Sequence, residues 1–360
     1  RDMITRNPYL GVIEGFFGTS WTWEERAAYA SFLSSHRYSF YIYAPKEEPF
    51  LRKRWSEPFP DERFQALRLL SETYKSEKLQ FGVGLSPYEA YRTYDAKVRM
   101  QLQQKVRALN ALSLDILCVL FDDMRGDYPR LAETQIRILG DIREASTAPQ
   151  IIFCPTYYSY DPIIEKCFGA MPARYLEDLG QGLDTSVDLF WTGEKVMSTQ
   201  YPEAHLREVA DRVGRKPFLW DNYPVNDSKR ASPFLFIRAF QNRGPHLDNL
   251  LSGHAVNPMK QPWLSRIPLA SLPFNYAERS TYDRDVVGLA CSQEVCGNEV
   301  GSMIYEDAAL FHDVGLSALT DEQKRYLRGR YATKSDDPFC REIIKWLDGR
   351  YDFDPACLTD

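Results

Sequence analysis

The sequence predicts an α/β fold, a (β/α)8 TIM-type barrel over residues 1–275 followed by a helical extension over 276–360. Three observations carry that expectation. Eight short runs rich in β-branched and aromatic residues recur between Leu10 and Val256. Amphipathic stretches of helical period separate most of them, the pattern of βαβ units and a parallel sheet. Polar residues collect just after the runs, where barrels of this type carry their chemistry. A doubly wound sheet, which uses the same alternation, is the competing arrangement.

The strand candidates, in order, are Leu10–Ile13, Phe40–Tyr43, Gln80–Gly84, Ile116–Phe121, Gln150–Cys154, Val187–Trp191, Phe218–Trp220 and Gly253–Val256. Their nearly continuous apolar character suits strands covered on both faces. Helices are expected over Trp23–Leu33, Asp61–Tyr74, Ala96–Leu112, Pro129–Ala145 and Glu203–Val213. The first opens on Thr22 with Glu25 three positions later, a capping box. Beyond about Asn275 the alternation stops, and helices are expected around Glu306–Gly315, then over Asp321–Tyr331 and Pro338–Leu347.

A chain of 360 residues can form one large domain or a barrel with an appendage. Its net charge of −6 argues against a nucleic-acid-binding surface. Aromatic residues make up 14% of the chain, a share that serves sugar-binding clefts as well as cores. Seven cysteines without a repeated CxxC spacing suggest neither a disulfide framework nor zinc, and neither metal nor cofactor is expected. No apolar stretch reaches the about 18 residues needed to cross a membrane. The opening Arg1-Asp2-Met3 lacks a signal peptide, so the expected location is cytoplasmic.

The most informative residues are Asp122 and Asp123, delivered by the apolar run Ile116-Leu117-Cys118-Val119-Leu120-Phe121. Burying a charge without a partner is costly, so two carboxylates at the end of such a run require a task, either holding a metal or moving protons. At the other strand ends stand Gly15 and Gly18, Lys46, Tyr158, Trp220, Asn222, Asn226-Asp227 and Asn257. Each has a plainer reading alone. Gly15 suits a tight turn, Lys46 a solvated surface, Trp220 a core, and Asn226-Asp227 or Asn257-Pro258 a turn. Together, at successive strand ends, they describe a small polar ligand held against an aromatic wall. A Mg²⁺-dependent phosphoryl-transfer site is the competing use of the aspartates, and no phosphate-cradling Gly-Lys-Ser/Thr loop accompanies them.

Gly11-Val-Ile-Glu-Gly-Phe-Phe-Gly18, Tyr43-Ala-Pro-Lys-Glu-Glu48 and Leu120-Phe-Asp-Asp-Met124 resemble blocks of glycoside hydrolase family 84, the β-N-acetylglucosaminidases that include the protein O-GlcNAcases. So do Cys154-Pro-Thr-Tyr-Tyr158, Trp191-Thr-Gly193, Trp220-Asp-Asn222 with Asn226-Asp227, and Asn257-Pro258. The resemblance covers about residues 9 to 260, in family order. It implies a retaining, substrate-assisted exo-hydrolase that removes terminal β-linked N-acetylglucosamine through an oxazoline. By the same resemblance, Asp122 would orient the acetamido group and Asp123 would act as general acid and base. The Gly15 backbone and Lys46 would meet hydroxyls near C3, and Asp227 and Asn257 those at C4 and C6. Tyr158 and Trp220 would wall the acetamido pocket, with Asn222 beside them. Glu47-Glu48 stands for the family's more usual Asp pair, and Tyr157 for the Glu of animal enzymes. The implied partner is β-linked N-acetylglucosamine on a protein, with GlcNAc-containing glycans such as hyaluronan or chitin fragments as the alternative substrate and an inactive sugar-binding barrel as the non-enzymatic one. In some relatives the helical region contributes to a dimer or a substrate groove, and a homodimer is one arrangement the resemblance allows.

Overall fold

Eight parallel strands pair in chain order, and the last returns to the first to close a barrel. The structure, a computed structural model, describes residues 8–277 and 281–359; the opening Arg1-Asp2-Met3, residues 278–280 and Asp360 lie outside the described residues. The strands are β1 (Leu10–Glu14), β2 (Phe40–Tyr43), β3 (Gln80–Leu85), β4 (Ile116–Leu120), β5 (Gln150–Cys154), β6 (Asp188–Trp191), β7 (Phe218–Asp221) and β8 (Gly253–Val256). Closure is visible at Gly11, which lies opposite Phe40 on one side and Ala255 on the other. A side chain at Gly11 would sit about 2.2 Å from the Phe40 ring, so the glycine lets that ring fill the barrel interior.

All five residues of β4 are buried, as a parallel strand covered on both faces requires. The expected run through Phe121 is one residue too long: the chain has left the ladder by then, although Phe121 N still donates to Cys154 O at 3.0 Å. Outside the barrel lie α1 (Trp23–Ser35), α2 (Asp61–Ser76), α3 (Ala96–Leu109) and α4 (Leu131–Ala145). Both halves of the capping box at Thr22 and Glu25 form. α3 stops before the expected Leu112 because its last turn tightens into a 3-10 turn over Asn110–Leu112, and Ser113 then turns left-handed at φ 53°. α4 starts at Leu131, after the expected Pro129, because Arg130 is itself left-handed at φ 62°.

Three helices of the barrel escape the sequence pattern. Between β5 and β6 lie α5 (Ile163–Phe168) and α6 (Tyr175–Gly182), too short to display a period. α7 (Glu203–Val213) has its expected bounds. After β8 comes α8 (Pro262–Ala277), disguised by two internal prolines, Pro268 and Pro273. Among the described residues the connection from β7 to β8 has no α-helix; it is a long irregular stretch with one 3-10 turn at Pro245–Asn249.

The C-terminal region is helical: α9 (Arg284–Cys296), α10 (Asn298–Glu306), a π-helical turn at Ala309–Val314 where a regular helix was expected, α11 (Asp321–Ala332) and α12 (Pro338–Leu347). It shares a core with the barrel side. Val300, Phe311, Tyr331, Ile343 and Trp346 pack in one cluster with Leu235, Ile237, Met259 and Leu264. The buried Glu342 of α12 accepts from the backbone N–H groups of Trp263 and Leu264, at 3.1 and 2.8 Å, and so satisfies donors in the first turn of α8.

Candidate active site

The chain turns sharply where β4 ends. Asp123 sits in the left-handed region at φ 56°, which aspartate tolerates better than most residues, and the two consecutive carboxylates both line one cavity at the C-terminal mouth of the barrel. Around it stand Gly15 after β1, Lys46 after β2, Tyr158 after β5, Trp220 of β7, Asn222 and Asp227 beyond it, and Asn257 after β8. Each of the nine site residues expected from the sequence therefore borders the same space.

The two aspartates live in different electrostatic surroundings. Lys46 Nζ forms an ion pair with Asp122 Oδ2, and both side chains are almost fully buried. Asp123 has no ion-pair partner among the described residues. Burial, reinforced by the charge of Asp122, pushes its carboxyl up to about 7, while Lys46 and Arg52 pull the other way. Asp122 Oδ1 and Asp123 Oδ1 are both out of solvent reach and lack a hydrogen-bond partner. Leaving such an acceptor unmade costs about 1–3 kcal/mol, the mark of groups kept for a ligand.

Asp227 Oδ2 accepts from Phe17 N at 2.8 Å, and burial raises its carboxyl above the ordinary range. Tyr158 is fixed through its backbone, whose carbonyl accepts from Thr192 N at 3.0 Å. Its phenol donates to Thr359 Oγ1 at 3.4 Å, and burial raises its ionisation well above the usual value.

One hydrogen-bonded line joins three strand ends. Gly15 N donates to Asn257 Oδ1 at 3.3 Å, and Asn257 Nδ2 donates to Asn222 Oδ1 at 3.1 Å. Trp220 Nε1 donates to the same oxygen at 3.0 Å, and Asn222 Nδ2 ends the line on Val196 O at 2.9 Å. Asn222 is therefore occupied at both ends of its amide, holding Trp220 and Asn257 in place. Gly15 must be glycine, because a Cβ there would come within 2.8 Å of the Trp220 indole. Beneath this line, Asp221 is fully buried and paired. Its oxygens accept from Arg243 Nε and Nη2 at 3.0 and 2.8 Å and meet His254 Nε2 at 2.8 Å. Burial alone would raise the Asp221 carboxyl; Arg243 and His254 hold it well below the usual range.

Several contributors escaped the sequence reading. Phe17, Phe190, Val196 and Met197 line the cavity but look like ordinary core residues in sequence. Arg52 lies within electrostatic reach of Asp123, its guanidinium 5.4 Å from the Phe17 ring and 5.1 Å from that of Tyr88. Cys357 and Thr359 also line the cavity, from a part of the chain with no local motif. The departures from the family pattern fall outside it. Glu48 accepts from Tyr43 and Arg63 at 2.8 and 2.9 Å, and the Tyr157 hydroxyl donates to Gly169 O at 2.8 Å. Glu47 is exposed, 3.5 Å from the Ser20 hydroxyl.

Comparison with known proteins puts the site in context. A family model described as β-N-acetylglucosaminidase matches residues 10–303. Protein O-GlcNAcase of Rattus norvegicus is 27% identical over 258 residues, 69% of this chain and 28% of that protein, and the Mus musculus protein of the same name gives the same figures. The chain thus spans 28% of the length of these curated relatives. Among solved structures, that of an O-GlcNAc hydrolase mutant from Thermobaculum terrenum is similar with a TM-score of 0.75 and 27% identity, over 95% of this chain and 75% of that one. The matched span holds all the cavity residues except Cys357 and Thr359, and on it the chain belongs to the β-N-acetylglucosaminidases of glycoside hydrolase family 84.

Proposed function

We propose that the chain is a retaining exo-β-N-acetylglucosaminidase that releases terminal β-linked N-acetylglucosamine by substrate-assisted catalysis. The observation that carries this reading is the unequal aspartate pair. Asp122 is ion-paired with Lys46; Asp123, raised to about 7, holds or releases a proton near neutrality. In the first step the acetamido carbonyl oxygen bonds to C1 as the bond from C1 to the aglycone oxygen breaks. Asp123 gives its proton to that leaving oxygen, and Asp122 accepts the acetamido N–H and balances the positive charge of the forming oxazoline. In the second step Asp123, now a carboxylate, takes a proton from water. The water oxygen bonds to C1, the oxazoline C1–O bond breaks, and the anomeric configuration is retained. The nucleophile is part of the substrate, so the protein supplies orientation and charge.

The remaining residues serve binding in this reading. Trp220 and Tyr158 wall the acetamido group, Lys46 and the Gly15 backbone reach hydroxyls near C3, and Asp227 and Asn257 take those at C4 and C6. Asn222 acts through Trp220 and Asn257. The relatives, a protein O-GlcNAcase and an O-GlcNAc hydrolase, favour N-acetylglucosamine on protein as the substrate. Hydrolysis of an aryl β-N-acetylglucosaminide tests the reading: Asp123→Ala should lower kcat/KM by about 10²–10⁴-fold and Asp122→Ala by a similar factor. Full activity in both variants would sink it.

A further inference from the structure

After α12 the chain does not leave the molecule. Residues 351–359 run irregularly back to the barrel mouth and cross it. Lys260, just past the end of β8, donates its Nζ to the backbone carbonyls of Tyr351 and Asp352, both at 3.0 Å. Near the far end, Cys167 Sγ lies 3.6 Å from the Leu358 carbonyl, and the Tyr158 hydroxyl donates to Thr359 Oγ1. Thr359 is 8% exposed and shares the cavity with Asp122 and Asp123. Lys260 is itself buried and within electrostatic reach of Asp227 in the pocket.

We propose that residues 351–359 are an intramolecular pseudosubstrate, seated where the polypeptide that carries the sugar must lie and displaced by it. This rests on the reading under Proposed function. Three features point to a polypeptide as the competitor. The anchors at both ends grip main-chain carbonyls, which any polypeptide offers. A side chain of the strap that is hydrogen-bonded to the pocket, Thr359, is a threonine, and its hydroxyl is the group to which such a sugar is attached. That hydroxyl meets Tyr158, a residue assigned above to the sugar's acetamido wall, so strap and sugar cannot both occupy the site. The same geometry makes recognition of the aglycone tolerant of sequence, because it reads backbone and one hydroxyl.

The full chain carrying Lys260→Met loses the ammonium that ties both carbonyls; Thr359→Trp, on the strap itself, is too large to seat beside Tyr158. Limited proteolysis within 351–359 reports seating without any need for turnover, and should be slow in the parent chain and faster in both variants. With an aryl β-N-acetylglucosaminide, a strap seated in nine molecules of ten raises the apparent KM about tenfold, so KM should fall by about that factor in Thr359→Trp. Equal cleavage in all three chains overturns the proposal, as does fast cleavage in Thr359→Trp with an unchanged or higher KM. A seated strap on a parent chain that hydrolyses nothing instead sinks the glycosidase reading, and the pseudosubstrate role with it.

Discussion

At the scale of single residues, the proposed mechanism puts the dependence of activity on pH at Asp123. In that mechanism its acid form protonates the leaving group, so kcat/KM should fall as pH rises through about 7. Lys46 pulls that carboxyl down, and Lys46→Met should move this basic limb to higher pH, as a pH–rate profile will show. Stability carries the matching sign. The folded-state value lies above the ordinary 3.8, so the folded chain holds the extra proton between about pH 4 and 7 and loses stability as pH rises across that window. Asp123→Asn should therefore stabilise the fold at pH 8, by roughly 1–3 kcal/mol, and leave it nearly unchanged at pH 4, measured by urea unfolding at each pH. Much of this was legible beforehand: an apolar run that delivers two carboxylates has few other uses. The family resemblance already implied unequal roles for the pair; what sequence could not reveal is the physical cause, because it depends on Lys46 reaching Asp122 and on Arg52 lying near Asp123, across two different strand ends.

At the scale of elements, the floor of the site is an ion-paired knot between β7 and the β7–β8 connection. Arg243, fully buried, is bound to Asp221 through two nitrogens, and His254 of β8 closes the group. Arg243→Met would strand the Asp221 charge and should cost about 3–5 kcal/mol in urea unfolding. Glu342→Ala would leave two first-turn donors of α8 without their acceptor, and should cost about 1–3 kcal/mol by the same measurement. The strands were readable because each is a short, mostly apolar run, buried throughout in β1, β2, β4, β7 and β8 and opening on a half-buried polar residue in β3, β5 and β6. α8 was not: Pro268 and Pro273 contradict local helix propensity, and tertiary burial of Leu264, Ile267 and Leu272 overrides it. α5 and α6 are too brief for any periodic signal.

At the scale of the whole molecule, the helical region builds its core partly from residues of the barrel's own connections. The cluster around Trp346 includes Leu235 and Ile237 from the β7–β8 connection, the stretch that also carries Asn222 and Asp227. Trp346→Ala should cost about 3–5 kcal/mol, and calorimetry should show one unfolding transition for barrel and helices together. Two separate transitions would contradict a shared core. Sequence showed the change from alternating elements to helices near Asn275 and allowed a helical extension packed on the barrel, but not which residues meet, since the cluster gathers residues more than 100 positions apart, such as Leu235 and Trp346. The return of Thr359 to Tyr158 was invisible for the same reason.

The indole of Trp220, pressed against Gly15 and set 5.7 Å from the Lys46 ammonium, also makes the pocket optically addressable. A cation beside an indole face shifts its emission, and a sugar that dries the cavity alters that field. Intrinsic fluorescence can therefore follow ligand entry in the unlabelled chain, with Trp220→Phe as the control that silences the signal.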